Sequence, residues 1–214
     1  MNNEEVTLLK RLFPSLTQSQ EEQFKLLPEL YKEWNAKINV ISRKDIENVF
    51  VHHILHSLSI ALFTKFAPNT KVFDVGTGGG LPGIPLAILF PDVEFILIDS
   101  IAKKITVASE IIKALNLSNA KTYRGRAEEY KGDRGDYVVS RAAMQMDLLV
   151  NISQRLIDTK AQNNALPNGV IALKGGDLQE ELKRYRRIAI EEDILNYIPD
   201  YEFFETKKIV YIPL

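Results

Sequence analysis

The sequence predicts an α/β fold: a doubly wound, mostly parallel β-sheet with a preceding helical cap and a closing antiparallel hairpin. From residue 67 onward, strand-like apolar runs alternate with helical periodicity, which is typical of a parallel sheet covered on both faces. Before that point the apolar spacing is helical, and the last segment carries two adjacent strand-like runs. We therefore expect a helical cap over residues 1–66 and a ligand-binding sheet domain over residues 67–214.

The helical cap shows three helix patterns. An apolar stripe ends before Pro14, and Thr17 begins a second helix with a capping-type start. Pro28 lies inside this second helix, where we expect a kink. The third pattern, DIENVFVHHILHSLSIALF, begins at Asp45 and is apolar on more than one face, so we expect it to be buried.

The sheet domain alternates strands with helices. Helices are expected to begin near Leu81, Ile101, Met144 and Leu178. Strands are predicted at residues 71–75, 93–99, 120–123, 136–140 and 170–174. The adjacent runs 201–206 and 207–212 predict the antiparallel hairpin.

Composition narrows the function classes. The 214 residues are 45% hydrophobic, which allows one sizeable core with an appendage. Lys and Arg number 27 against 28 Asp and Glu, so local basic clusters would have to bind any anionic partner. The absence of cysteine excludes disulfides and a cysteine nucleophile and favours a cytoplasmic location. No apolar run is expected to approach a membrane span, so we expect no membrane partner.

The stretch VFDVGTGGGLPGIPL leads from a strand through a glycine loop into a helix. Gly76, Gly78 and Gly80 carry no Cβ atoms, so a ligand can approach the backbone closely. Asp99 ends the next apolar strand, where its carboxylate can accept hydrogen bonds from ribose hydroxyls. Alternatively, Asp99 caps the following helix. The pattern predicts a nucleotide-like cofactor.

Two cofactors fit this geometry. A dinucleotide prefers the spacing G-x-G-x-x-G/A, which the loop matches incompletely, although Gly78 and Gly83 keep that alternative open. Asp74 would repel a pyrophosphate but could bind the ammonium group of S-adenosylmethionine, or it could satisfy N–H groups of the loop. Glu128 lies where an acidic group could accept a hydrogen bond from adenine, or it could only begin a helix. We favour S-adenosylmethionine.

At this point the chain closely resembles the bacterial small-subunit ribosomal RNA guanine-N7 methyltransferases, also called the glucose-inhibited division protein B family. The resemblance lies in DVGTGGGLPGIPLAI, LIDSIAKKI, GRAEEY, SRAAM and ALKGG, and in Trp34, Asn35, Asn39 and the stretch His53-Ile54-Leu55. It implies a Rossmann-like class I methyltransferase sheet with a helical cap. It also implies an enzyme that uses S-adenosylmethionine to methylate N7 of one guanine in 16S ribosomal RNA.

The resemblance also assigns residues. The family's cofactor loop corresponds to Gly76 and Leu81, its adenine-side segment to Ala127 and Glu128, and a further pocket position to Arg141. His56 departs from the family, which commonly has aspartate there. The predicted cofactor-binding set is Asp74, Gly76, Gly78, Gly80, Leu81, Asp99, Ala127, Glu128 and Arg141. The basic positions expected around the active site, and predicted as catalytic, are Arg126, Arg141 and Lys174.

The residue types agree with N7 chemistry. Pyrimidine C5 methylation generally needs a cysteine, and amine methylation often uses an Asn/Asp-Pro-Pro-aromatic loop where residues 140–143 read SRAA. Guanine N7 has a free lone pair and needs no base, so cations that orient guanine O6 and the phosphates suffice. Arg126 could instead pair with Glu129, and Lys174 could cap a strand end.

Other features leave alternatives open. His52, His53 and His56 lack a nearby carboxylate pattern, so we expect packing functions and no metal. The basic cluster, residues 183–187 (KRYRR), is either a solvated helix face or an RNA contact. The near-neutral charge favours an assembled small subunit over naked RNA, and a monomer is the default. The competing functions are a nicotinamide-dependent oxidoreductase and a non-catalytic ribosome-assembly factor.

Overall fold

The computed structural model describes residues 1–141 and 144–214, and within them seven strands form one sheet. The strand order is β3-β2-β1-β4-β5-β7-β6, with β1 to β5 parallel and with β7 antiparallel to both β5 and β6. The predicted α/β class, mostly parallel with antiparallel closing strands, is confirmed. The strands are β1 (Lys71–Val75), β2 (Glu94–Asp99), β3 (Ala120–Arg124), β4 (Tyr137–Arg141), β5 (Gly169–Gly175), β6 (Ile190–Asp193) and β7 (Lys207–Pro213).

Helices cover both faces of this sheet. The α-helices are α1 (Asn3–Leu12), α2 (Gln18–Lys37), α3 (His56–Phe63), α4 (Gly83–Leu89), α5 (Ala102–Ala114) and α6 (Met146–Leu156). Thr17 caps α2 through a reciprocal pair of hydrogen bonds with Gln20, and the helix continues through Pro28 to Lys37. The helices α1 to α3 share one hydrophobic cluster with the sheet, in which α3 packs against β5 and β7 and α2 packs against α4 and α5. Division of the chain at residue 66 stays a prediction.

The apolar segment before and within α3 is part of the core. It consists of a 3₁₀ turn (Ile46–Asn48), a π-helix (Val49–Leu55) and α3. By length and a mean hydropathy of 1.2, Ile46–Phe63 is apolar enough to cross a membrane, so the expectation that no run approaches that length was wrong. However, 61% of the segment is buried inside the protein. Burial of this extent is typical of a helical segment in a protein core.

Two elements differ from the sequence expectation. The first strand of the closing pair is β6 and not residues 201–206, which contain a 3₁₀ turn that buries Phe204 completely. The helix expected from Leu178 is a series of turns that ends in the 3₁₀ turn Lys183–Tyr185. Leu178, Leu182 and Tyr185 are buried, but the backbone hydrogen bonds of this segment reach back three residues more often than four.

The strand order indicates where a ligand crevice lies. From β1 the chain proceeds to β2 and β3 on one side, and β4 returns to the other side of β1. In open α/β sheets, ligands bind outside the carboxyl ends of the strands at such a reversal. The carboxyl ends of β1, β2 and β4 carry the glycine loop, Asp99 and Arg141.

Candidate active site

The glycine loop after β1 depends on glycine for two different reasons. Gly80 has φ of 103°, and a Cβ there would lie 2.3 Å from Ile84 Cδ1, so packing against α4 excludes a side chain. Gly78 has φ of 60°, a conformation that L-residues rarely adopt, but a Cβ there would meet nothing within 4 Å. The backbone at Gly78 therefore has open space beside it that a ligand can approach.

Asp74 lies buried beneath this loop. Its Oδ2 accepts hydrogen bonds from the Thr77 hydroxyl at 2.6 Å and from the Gly83 amide at 2.7 Å. Its Oδ1 is also buried and has no partner among the described residues. Burial raises the pKa of Asp74 to about 7, although both hydrogen bonds oppose that shift. Asp74 thus fastens the loop to α4, as one of the sequence alternatives proposed, and retains one acceptor oxygen.

Asp99 joins the end of β2 to the loop. Its Oδ2 accepts a hydrogen bond from the Gly78 amide at 3.0 Å, and its Oδ1 accepts one from the Ile101 amide at 2.9 Å. The second bond forms a turn that leads into α5. Asp99 therefore serves the helix start and also holds the loop, while it borders the cavity described next.

A cavity of about 180 Å³ lies between the glycine loop, the residues after β3 and the start of α6. Among the predicted site residues, Gly76, Asp99, Arg126, Ala127 and Glu128 line it. Sequence reasoning missed its apolar walls, which are formed by Val75, Ile98, Met144, Leu148 and Ile152. The volume suits one part of a ligand, because whole small-molecule sites measure about 300 to 1,000 Å³.

Five predicted cofactor residues do not line this cavity. Gly78, Gly80 and Leu81 lie in the loop, where Leu81 is buried in the core, while Asp74 lies in β1 beneath the loop and Arg141 ends β4. Leu148, in the first turn of α6, is 51% exposed beside the cavity, a property that only the structure shows. Ala142 and Ala143 of the SRAA stretch lie outside the described residues.

Arg141, at the end of β4, binds the helical cap. Its Nη1 atom donates to Nδ1 of His53 at 2.9 Å and to the carbonyl oxygen of His52 at 3.3 Å. Both histidines belong to the π-helix. Asp45 accepts from them in turn, with 2.5 Å between its Oδ2 and His53 Nε2 and 2.5 Å between its Oδ1 and His52 Nδ1. Asp45 lies seven and eight residues before these histidines, and the 3₁₀ turn Ile46–Asn48 between them brings its carboxylate within reach, so no local carboxylate pattern indicates the contact.

The hydrogen bonds determine the charge state of this group. A guanidinium can only donate, so His53 Nδ1 must accept, and the proton on Nε2 is donated to Asp45. Burial and the positive charge of Arg141 lower the pKa of His53 to about 4. Partial burial opposes ionisation of Asp45, but the bonds from His52 and His53 lower its pKa. A neutral imidazole therefore connects a carboxylate to a partly buried arginine.

The helical cap also contacts the glycine loop. The Tyr31 hydroxyl donates to the carbonyl oxygen of Gly79 at 3.1 Å, and burial raises the pKa of Tyr31. A Cβ on Gly79 would lie 3.0 Å from the Val40 side chain. The cap thus holds the loop on one side and Arg141 on the other.

Lys174 forms a mostly buried ion pair with Glu181 at the end of β5. Its Nζ lies 2.5 Å from Glu181 Oε1 and donates to the carbonyl oxygen of Met144 at 2.6 Å. Glu181 Oε1 also accepts from the Met146 amide at 2.8 Å. The two charged side chains are only 10% and 16% exposed. Lys174 therefore supports the cavity wall at Met144 and the start of α6.

The remaining predicted residues are spread around the cavity. Arg126 is exposed, and it forms no ion pair with Glu129 or with any other described residue. In the basic cluster, Tyr185 is buried while Lys183 and Arg184 are exposed. Arg184 lies 3.9 Å from Asp147 in the first turn of α6, which places these two cations at the carboxyl edge of the sheet.

His56 is buried among aromatic side chains. Its ring makes edge contacts with Phe203 and Phe204 at centroid distances of 5.6 and 5.9 Å. Its Nε2 has no hydrogen-bond partner among the described residues, and burial lowers its pKa to about 3. No group of three or more potential metal ligands is found in residues 1–141 and 144–214.

Comparisons with known proteins agree with this geometry. The family model described as rRNA small subunit methyltransferase G matches residues 20–200. A ribosomal RNA small subunit methyltransferase G of Porphyromonas gingivalis is 52% identical over 97% of this chain and 93% of its own length. The Flavobacterium johnsoniae protein of the same name is 53% identical over 95% of this chain and 96% of its own.

Solved structures match the fold at low sequence identity. A SAM-dependent methyltransferase from Aquifex aeolicus aligns with a TM-score of 0.57 and 12% identity, over 86% of this chain and 97% of that one. A mutant of MtNAS in complex with S-adenosylmethionine aligns with a TM-score of 0.58 and 11% identity, over 100% of this chain and 84% of that one. These structures share the strand and helix arrangement described above.

Proposed function

Because the chain belongs to the rRNA small subunit methyltransferase G family, we propose that the glycine loop and the adjoining cavity bind S-adenosylmethionine beside the RNA acceptor. The protein is an S-adenosylmethionine-dependent methyltransferase of 16S ribosomal RNA. The acceptor we propose is N7 of a guanine. We further propose that the protein acts as a monomer on the assembled small subunit in the cytoplasm.

The residues present fit the cofactor. The observation that carries the assignment is the hydrogen bond from the Gly78 amide to Asp99. It places the open space beside Gly78 next to a carboxylate that lines the apolar cavity. The apolar walls suit adenine, with Glu128 and Ala127 at its edge, and the Asp99 carboxylate suits the ribose hydroxyls. The unpartnered Oδ1 of Asp74 suits an ammonium group.

The proposed chemistry needs orientation more than proton transfer. When bound, S-adenosylmethionine supplies an electrophilic methyl group on its sulfonium. Guanine N7 presents a lone pair without a proton, so the protein has to align this lone pair and exclude water. Arg126 and Arg141 would donate hydrogen bonds to guanine O6 or to flanking phosphates. Lys174 would act indirectly, by supporting the cavity wall at Met144.

The direct test of this function is methyl transfer from labelled S-adenosylmethionine to small ribosomal subunits, followed by mapping of the modified nucleotide. We expect one N7-methylated guanine in 16S ribosomal RNA. Absence of transfer would instead favour a non-catalytic assembly factor. Thermal stabilisation by NADH but not by S-adenosylhomocysteine would favour an oxidoreductase. Naked 16S ribosomal RNA in a parallel reaction tests which form is the substrate.

We expect Asp99→Ala to weaken S-adenosylhomocysteine binding by about 1.5 to 3 kcal/mol, because a charge-assisted hydrogen bond to the ribose is lost. Calorimetry measures this change. Asp177→Ala is the matched control, since Asp177 makes the same two-residue turn bond, to Gln179 at 2.9 Å, without lining the cavity. Parent-like affinity combined with reduced stability of Asp99→Ala would leave only the helix-start function.

We expect removal of two cations from the basic cluster to weaken RNA binding. Lys183→Gln/Arg184→Gln should raise KM for small subunits and reduce the slope of log affinity against log salt by about 1 to 2. Stability should hardly change, because the ion pairs of both residues are exposed.

The matched control for this charge removal is Lys65→Gln/Lys113→Gln. These exposed lysines follow α3 and end α5, at the amino edge of the sheet and away from the cavity. An equal effect of both double variants would show that overall charge matters and that the basic cluster is only a solvated surface. Affinity for S-adenosylhomocysteine should stay at the parent value in both.

A further inference from the structure

The helical cap contributes a hydrogen-bonded series that ends on Arg141. Asp45 accepts from His53 Nε2, and His53 Nδ1 accepts from Arg141 Nη1 at 2.9 Å. His53 is separated from Arg141 by 88 residues in the chain, so only the tertiary fold brings them together. An arginine that bonds to a neutral acceptor is oriented without having its charge neutralised.

Each member of the series has one defined function. The Asp45 carboxylate keeps the His53 proton on Nε2, which leaves Nδ1 as the acceptor that a guanidinium requires. The His52 carbonyl oxygen holds the same Nη1 atom at 3.3 Å. Both described hydrogen bonds of Arg141 therefore use Nη1, so the other guanidinium N–H groups can be directed at a substrate.

We propose that Asp45 and His53 are positioning residues that orient the Arg141 guanidinium toward the methyl acceptor. The π-helix makes this possible, since it presents the His53 ring and the His52 carbonyl oxygen together at the end of β4. The inference rests on the proposed function of Arg141 in methyl transfer. It gives the helical cap a part in methyl transfer, through the orientation of Arg141, in addition to packing.

The test compares two substitutions of His53 that differ in hydrogen bonding. His53→Leu keeps an apolar side chain of similar bulk but provides no acceptor, and we expect kcat on small subunits to fall about 10- to 100-fold through misplacement of Arg141. His53→Asn places a carbonyl oxygen near the Nδ1 position and should recover most of this loss. KM for subunits should change little in both.

His52→Asn is the matched control, because the His52 side chain binds the same Asp45 carboxylate but does not bind Arg141. We expect it to keep a kcat close to that of the parent. Equal loss of kcat in His53→Leu and His53→Asn, with folding intact by circular dichroism, would overturn the proposal. A loss in KM alone would overturn it as well.

Arg141→Ala separates this inference from the function on which it rests. If Arg141→Ala lowers kcat while His53→Leu does not, Arg141 acts in methyl transfer but is not positioned by His53. If Arg141→Ala retains the parent kcat, the proposed function of Arg141 itself is wrong. If Arg141→Ala and His53→Leu both lower kcat while His53→Asn retains most of the parent kcat, the positioning series is supported.

Discussion

Gly78→Asp should abolish measurable binding of S-adenosylhomocysteine in a protein that still folds. A Cβ at Gly78 points into open space beside the cavity, so the new carboxylate would occupy the ligand's approach. It would also add a second negative charge beside Asp99, whose Oδ2 binds the Gly78 amide. We expect affinity to fall at least about 100-fold, which corresponds to ~2.7 kcal/mol in calorimetry.

The backbone at this position makes the test specific. Gly78 has φ of 60°, and aspartate tolerates the left-handed region better than most residues, so the cost in stability should be modest. Gly176→Asp is the matched control, because Gly176 has φ of 78° and equally open surroundings, but its amide binds the Thr206 carbonyl oxygen and not a residue that lines the cavity. A folded Gly78→Asp protein that binds as tightly as the Gly176→Asp control would refute the proposed cofactor loop.

Lys174→Ala should lower the free energy of unfolding by about 3 to 5 kcal/mol, because it leaves the mostly buried Glu181 carboxylate without its partner. The carbonyl oxygen of Met144 loses its donor in the same variant. Methyl transfer should fall as well, since Met144 lines the cofactor cavity. Urea denaturation and single-turnover methylation of small subunits measure the two effects.

A double variant distinguishes a structural function of Lys174 from a direct contact between Lys174 and the substrate. Lys174→Met/Glu181→Gln removes both charges, while the glutamine oxygen can still accept from the Met146 amide. We expect it to recover most of the stability and most of the methyl transfer lost in Lys174→Ala. A double variant that is as stable as the parent but inactive would show that the Lys174 ammonium contacts the RNA directly.

Much of the sheet could be predicted from sequence because its strands are buried on both faces. Such strands are continuous apolar runs, and β1, β2 and β5 differ from the predicted bounds by at most one residue at each end. β6 could not be found in this way. Its sequence, IEED, is mostly exposed and acidic, and it is held at the sheet edge by backbone pairing with β7 and by ion pairs of Lys208 with Glu191 and Asp193.

The glycine loop was predictable for a related reason. A turn that must approach a ligand through its backbone needs glycines, and a carboxylate at the end of the next parallel strand must lie beside that turn. Local sequence therefore specified Gly78 and Asp99 as neighbours before their 3.0 Å hydrogen bond was known. The apolar cavity walls lacked such a signal, because Ile98, Met144 and Ile152 resemble any other core residues.

The amino-acid order alone was sufficient to specify the α/β class and the glycine loop, because each depends on residues that are close in sequence or repeated at regular spacing. The loop spacing left a dinucleotide open as the cofactor, and the family resemblance favoured S-adenosylmethionine. Only the tertiary structure decided the environments of Arg141 and Lys174. The first is held by Asp45 and His53 from the helical cap, and the second is occupied by Glu181. A cation's hydrogen-bond partners depend on how distant segments pack, and no local pattern in this chain encodes that packing.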